Sequence, residues 1–153
     1  MEYDEKCVKT WAAANPQVAV GHHGDQNSVA DLTRVLQESG GAPFDIIIDD
    51  ASHINEHQIH TLEFMIQHLA QGGIYVVEDI HASCIDWRAN LGTHHGPGVG
   101  GTEGCMLTKD GTPTFYSKLV DWQKSLLVNK EPFPDVTHID VAFESAVLQK
   151  AFT

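Results

Sequence analysis

Two short apolar runs in this chain each stop at a pair of acids. Ile46-Ile47-Ile48 leads into Asp49-Asp50, and Ile74-Tyr75-Val76-Val77 leads into Glu78-Asp79. Apolar runs of this length without alternation are the pattern of strands buried on both faces, as in a parallel sheet. Between them Ile59, Leu62, Ile66 and Leu69 recur at i, i+3, i+7 and i+10, which makes one apolar helical face. Asn55 with Gln58 three residues on has the form of a capping box, and Gly72-Gly73 that of a C-terminal stop. Strand, helix, strand of this length is a βαβ crossover. It predicts two parallel, adjacent strands whose carboxyl ends share one sheet edge, roughly 4.8 Å apart.

The rest of the pattern is read the same way. Asp4 to Ala14 is a short helix capped by Asp4, with Val8, Trp11 and Ala12 facing inward and Asn15-Pro16 as the stop. Val18 to Val20 is a brief strand. Ser28 to Ser39 is a helix with Val29, Leu32, Val35 and Leu36 on one face, ended by Gly40-Gly41. Thr114 to Asn129 is a helix with Phe115, Leu119, Trp122 and Leu126 as a core stripe. Thr137 to Phe143 and Ala146 to Gln149, joined around Glu144-Ser145, form an antiparallel hairpin. Residues 80–112 are glycine-rich and aperiodic, and so long a loop after an acidic strand end is predicted to be a lid or substrate loop. It contains His94-His95, read as solvent-exposed, and a literal G-x-G-x-x-G at Gly96 to Gly101. That motif follows no strand and opens no helix, so the physical reason for its glycines is missing.

The crossover places Asp49-Asp50 beside Glu78-Asp79 at the edge where open α/β sheets bind ligands. Either pair alone is ordinary turn and cap chemistry. Two pairs at matching strand ends repel each other unless a cation, a proton or a basic group intervenes, and a hard divalent metal held by oxygens is the economical answer. His53, three residues past Asp50, lies within reach of the same crevice, which gives a metal-assisted acid–base site.

D-D-A-S-H at 49–53, followed by G-G-I-Y-V-V-E-D-I-H at 72–81, resembles the macrocin O-methyltransferase family, which includes the mycinamicin sugar O-methyltransferases. The resemblance implies a Rossmann-like class I methyltransferase fold, mostly parallel with a C-terminal antiparallel hairpin. It also implies S-adenosyl-L-methionine as cofactor, Mg2+ or a similar divalent cation, and a small-molecule hydroxyl, such as that of a glycoside, as acceptor. By position, Asp50, Glu78 and Asp79 match the metal ligands and His53 the general base. Gly24-Asp25-Gln26 matches the segment lining the adenine pocket, and Glu2 the acid that holds the cofactor ribose. Asp49 is placed with these cofactor-facing residues, orienting the loop. The likeness runs from about Glu2 to Lys150, is dense from Gly24 to His81 and thin from Cys84 to Gly111. After the Glu-Asp pair it departs from the family's aromatic-rich continuation, reading A-S-C-I-D-W at 82–87 where acceptor contacts are expected.

Composition and charge trim this picture. At 153 residues the chain is read as one domain, and the resemblance implies an N-terminally truncated copy lacking the first strand and its glycine-rich turn, with weak or absent methyl transfer expected of it. A net charge of −12 argues against nucleic acid and acidic membrane surfaces. No run approaches membrane-spanning length, and three cysteines without a C-x-x-C pair suggest a reducing, cytoplasmic setting. The pattern is compatible with a homo-oligomer but specifies none. Two other classes fit the same residues: a metal-dependent hydrolase, with the carboxylates activating water, and a non-catalytic methyltransferase-like fragment.

Overall fold

The structure, a computed structural model, describes residues 1–17, 20–84, 101–102, 105–108, 110–128, 130, 132–142 and 144–152. Val18-Ala19, most of the predicted lid with His94-His95 and the G-x-G-x-x-G glycines up to Gly100, and Phe143 lie outside the described residues. The chain divides into two compact units, Met1–Ala42 and Pro43–Thr153.

The first unit holds α1 (Glu5–Ala14) and α2 (Val29–Glu38). Asp4 caps α1 as expected, its Oδ1 accepting the N–H groups of Lys6 at 2.8 Å and Cys7 at 3.1 Å. The inward face predicted for α1 is present only in part: Val8 and Ala12 are half-buried, none of its residues is fully buried, and Trp11 is exposed. Ser28 caps α2 through Asp31 N–H, Leu32 is buried, and Gly40 and Gly41 end the helix at φ +92° and +83°. Val29, expected inside, is exposed.

The second unit carries β1 (Phe44–Asp49), α3 (Asn55–Met65), a 3₁₀ turn at Ile66–His68, β2 (Leu69–Glu78) and a second 3₁₀ turn at Ile80–Ser83. There follow the short strands β3 (Gly101–Thr102) and β4 (Leu107–Thr108), α4 (Phe115–Leu127), β5 (Val136–Ala142) and β6 (Ser145–Lys150). The main sheet has four strands in the order β1-β2-β6-β5. β1 and β2 are parallel neighbours, as the crossover requires, with Ile46 opposite Ile74, Ile48 opposite Val76 and Asp49 opposite Val77. The terminal hairpin is present, β5 against β6, and β6 also runs antiparallel to β2. The sheet is therefore mixed, with one parallel pair among its three pairings, and the expectation of a mostly parallel sheet is corrected.

Three readings of the crossover, and one beyond it, change in detail. The helix ends at Met65 and the strand begins at Leu69, so Gly72-Gly73 lies within β2 and not at a helix stop. The pairing jumps there from Phe44–Leu69 to Ile46–Ile74, and a Cβ on Gly73 would sit 3.0 Å from the Asp45 carbonyl oxygen. The glycines thus serve a bulge and a close backbone approach. Asn55 is the first helical residue, and Ile54 holds the cap position without a side-chain bond, so the capping box does not form. β1 is not buried on both faces: Ile46 and Ile48 are each 59% exposed. Cys84 and Cys105 form a disulfide, which runs against the expectation of reduced thiols, while Cys7 is free.

The core lies on one face of the sheet. Tyr75, Val77, Ala146, Leu148 and Ile139 pack there with Leu62 and Ile66 and with Phe115 and Leu119 of α4. Trp122 stands edge-on between Phe115 and Phe133, with ring centroids 6.1 and 5.0 Å apart. No helix among the described residues is long and apolar enough to cross a membrane.

Candidate metal centre

Where β1 and β2 end, the chain turns sharply twice. Asp50 leaves β1 and the loop reaches His53 at φ +54°; Asp79 leaves β2 at φ +52°. Left-handed backbone on residues other than glycine is unfavourable and persists where the surroundings enforce it, commonly at functional sites. Because β1 and β2 are parallel and adjacent, the two turns meet at the same edge.

They bring Asp50, His53 and Asp79 together, one ligand atom of each lying within 4.8 Å of the others. His53 Nε2 is 3.4 Å from Asp79 Oδ2 and 3.9 Å from Asp50 Oδ1. The imidazole is 13% exposed, the carboxylates of Asp50 and Asp79 57% and 41%. The two carboxylates are an oxygen donor pair open to solvent on one side, with the imidazole beside them, and such a pair fits a hard divalent cation that keeps several waters. Glu78, exposed at the tip of β2, lies one step beyond the Asp49–Val77 pair, next to Asp79 in the chain and across from Asp50. Its carboxylate belongs to neither of the ligand clusters found among the described residues.

The second such cluster was not anticipated. Asp79 Oδ1 faces His81 Nδ1 at 3.6 Å, and Glu144 Oε1 lies 3.9 Å from the same nitrogen. Glu144 occupies the β5–β6 turn at φ +62°, and its carbonyl accepts the Ile80 N–H at 3.1 Å. The signal for it was available: β6 runs antiparallel to β2, so the hairpin turn must arrive at the tip of β2. Sequence reasoning predicted the hairpin but did not follow its turn to that edge.

Asp49, one residue before Asp50, points the other way. It is 6% exposed, on the helix-covered face beside the Tyr75 phenol. Burial foremost, with the Asp49 carboxylate adding to it, pushes Tyr75 well above the usual phenol range.

The three cofactor-facing candidates of the first unit are close in the fold of that unit. Glu2 forms a parallel bridge with His23, its N–H donating to the His22 carbonyl at 2.9 Å and its carbonyl accepting from Gly24 at 3.0 Å. The Glu2 carboxylate is exposed and accepts the Asp4 N–H at 2.9 Å. Asp25 is half-buried and Gln26 6% exposed. The Asp25 N–H donates to Asp31, which also pairs with Arg34, and these contacts hold the Asp31 carboxyl below its usual range.

No family model matches the chain. It is 42% identical over 78 residues to the demethylmacrocin O-methyltransferase of Streptomyces fradiae, and 41% identical over 78 residues to the mycinamicin VI 2''-O-methyltransferase of Micromonospora griseorubida. Each match covers 51% of this chain and 16% of the relative's length. Among solved structures it resembles MycE methyltransferase from the mycinamycin biosynthetic pathway in complex with Mg, SAH and mycinamycin VI. The TM-score is 0.61 at 26% identity, covering 85% of this chain and 31% of that one. A second crystal form of MycE, with Mg and SAH, gives 0.62 at 24% identity.

Proposed function

We propose, from the homology of this chain to the macrocin and mycinamicin sugar O-methyltransferases, that it is the metal-bearing part of an S-adenosylmethionine-dependent O-methyltransferase acting on a hydroxyl of a sugar or glycoside. The observation that carries this reading is the Asp50–His53–Asp79 cluster at the paired strand tips, since homology alone would not require those side chains to meet. In this proposal the fold is a Rossmann-like methyltransferase sheet. Asp50 and Asp79 hold the cation, with Glu78 as a third carboxylate at the same edge. Glu2 takes the cofactor ribose, Asp25 and Gln26 line the adenine side, and Asp49 braces the loop from beneath.

An alcohol is a poor nucleophile at neutral pH because its proton is tightly held. His53 Nε2 accepts that proton as the hydroxyl oxygen bonds to the methyl carbon of the sulfonium. S-adenosylmethionine, held by Glu2, Asp25 and Gln26, would supply the methyl group from its sulfonium and become the neutral thioether S-adenosylhomocysteine. Asp79, 3.4 Å from Nε2, stabilises the imidazolium that results. The cation, when bound, orients neighbouring acceptor hydroxyls and lowers the pKa of the one that reacts. Positioning supplies most of the remaining acceleration.

Titration calorimetry of the chain with S-adenosylhomocysteine and with MnCl2 tests the two halves of the reading. Binding of both is expected. Asp79→Asn should abolish cation binding and leave the nucleoside thioether bound. His53→Ala should bind both while lowering methyl transfer from labelled S-adenosylmethionine to a panel of glycosides by about 10²–10⁴-fold. A chain that binds Mn2+ but not S-adenosylhomocysteine would refute the methyltransferase reading and favour the hydrolase.

A further inference from the structure

The first turn of α3 carries two polar side chains that are almost fully buried, and neither caps its own helix. Asn55 is 2% exposed and Gln58 1%. Asn55 Oδ1 accepts the Ser83 hydroxyl at 2.7 Å and the Phe115 N–H, the first of α4, also at 2.7 Å. Ser83 is itself fully buried, and its Oγ accepts the Tyr116 N–H at 3.2 Å. Gln58 Nε2 donates to the Glu78 carbonyl at 3.2 Å. The stretch from Glu78 to Ser83, which contains Asp79, is therefore gripped at both ends by one turn of helix. That turn begins two residues after His53.

The grip falls where the sheet stops helping. Glu78 is the last residue of β2 to pair, opposite Ser145. Beyond it Asp79 sits in the left-handed region, and Ile80–Ser83 is a single 3₁₀ turn, a structure with little stability of its own. A side chain placed at Asn55 for packing alone would be apolar, because a buried amide is costly unless its partners are supplied. Here the partners are backbone and hydroxyl groups of two other segments, 28 and 60 residues away. On the other side the Ile80 N–H donates to the Glu144 carbonyl, which adds a third tie to the same stretch.

We infer that Asn55, Gln58 and Ser83 are positioning residues of the cation centre: they fix the Asp79 carboxylate against His53 and Asp50 without being ligands themselves. The inference rests on the cation-assisted reading above. Groups that orient metal ligands from outside typically change affinity by about tenfold to a hundredfold when removed. The clamp should therefore be felt in cation binding before it is felt in folding.

The test uses Mn2+ as probe, its affinity for the chain read from electron paramagnetic resonance of the free ion and from calorimetry. Ser83→Ala removes one hydroxyl, Gln58→Met replaces the amide by an apolar chain of similar size, and Asn55→Leu removes both acceptor contacts. Each is expected to raise the Mn2+ Kd at least tenfold, Asn55→Leu the most, with S-adenosylhomocysteine affinity unchanged. Val136→Ala, a core truncation at the opposite end of the sheet, serves as the control: it should lower thermal stability and leave the Mn2+ Kd alone. Ser83→Ala keeps the measurement available where Asn55→Leu does not fold. If Ser83→Ala and Gln58→Met fold and bind Mn2+ as the unaltered chain does, the clamp is refuted and the cation centre stands. If the control shifts the Kd as much as they do, the effect is general loosening and the inference fails. If the unaltered chain binds no Mn2+, the cation centre is refuted and the clamp with it.

Discussion

One face of the main sheet carries Tyr75, Val77, Ala146, Leu148 and Ile139, closed over by residues of α3 and α4. The other carries Ile46, Ile48, Ile74, Val76 and Val147, with Ile46 and Ile48 each 59% exposed. Both faces are drawn from alternate positions of the same strands, so they share propensity and hydrogen bonding and differ in what covers them. The difference reaches the acidic tips. Asp49 follows the covered face into the core and lies beside the Tyr75 phenol, while Asp50, one residue on, joins His53 and Asp79. Stability and chemistry are thus separated by a period of two.

The comparison is broken most directly by truncating matched positions of β6. Leu148 is fully buried and Val147 half-buried on the opposite face. Leu148→Ala should cost about 2–5 kcal/mol and Val147→Ala clearly less, within about 1.5 kcal/mol. Urea unfolding at neutral pH measures both. Equal losses would mean that the second face is as well packed as the first.

A smaller effect sharpens it. Tyr75 keeps its proton in the folded chain well above the ordinary phenol range, because burial and the neighbouring Asp49 carboxylate both disfavour the phenolate. An unfolded tyrosine loses its proton near pH 10. Above that pH the folded state binds the extra proton, so stability falls as pH rises, by about 1.4 kcal/mol per unit; below it the group contributes no slope. Tyr75→Phe should remove this alkaline loss and leave the neutral-pH slope unchanged. Stability–pH curves that stay parallel through pH 11 would contradict the buried phenol.

How much of this was legible in the letters depended on range. Local signals carried: Asp4 caps α1 as read, the helices expected to start around Ser28 and Thr114 are α2 and α4, and the two apolar runs became parallel neighbours. The meeting of Asp50, His53 and Asp79 followed from that topology, because parallel adjacency puts both strand ends at one edge. What failed needed knowledge of the neighbours. Asn55 and Gln58 have the spacing of a capping box, and only the arrival of Ser83, Phe115 and Glu78 from elsewhere in the chain turns them outward from their own helix. Gly72-Gly73 looks like a helix stop because glycine serves stops and bulges alike, and the choice is made by how closely β1 approaches. Three isoleucines in a row say that a strand forms, not how many of its faces are covered. Cys84 and Cys105 are 21 residues apart, a separation that by itself carries no pairing information.

The finest contrast lies within that isoleucine run. Ile47 is packed against the core cluster, whereas its neighbour Ile48 is 59% exposed. Threonine is β-branched like isoleucine and nearly as suited to a strand, so replacing either residue by it keeps the strand preference while removing apolar volume and adding one hydroxyl. At Ile48 that hydroxyl meets water, and the expected change is within about 0.5 kcal/mol. At Ile47 it lies against apolar side chains, and the expected loss is about 1–3 kcal/mol. Both variants leave the strand tip intact, so Mn2+ affinity should be the same in each. A loss at Ile48→Thr matching that at Ile47→Thr would show that something covers the open face of β1 in solution, and the asymmetry on which the separation of stability from chemistry rests would have to be withdrawn.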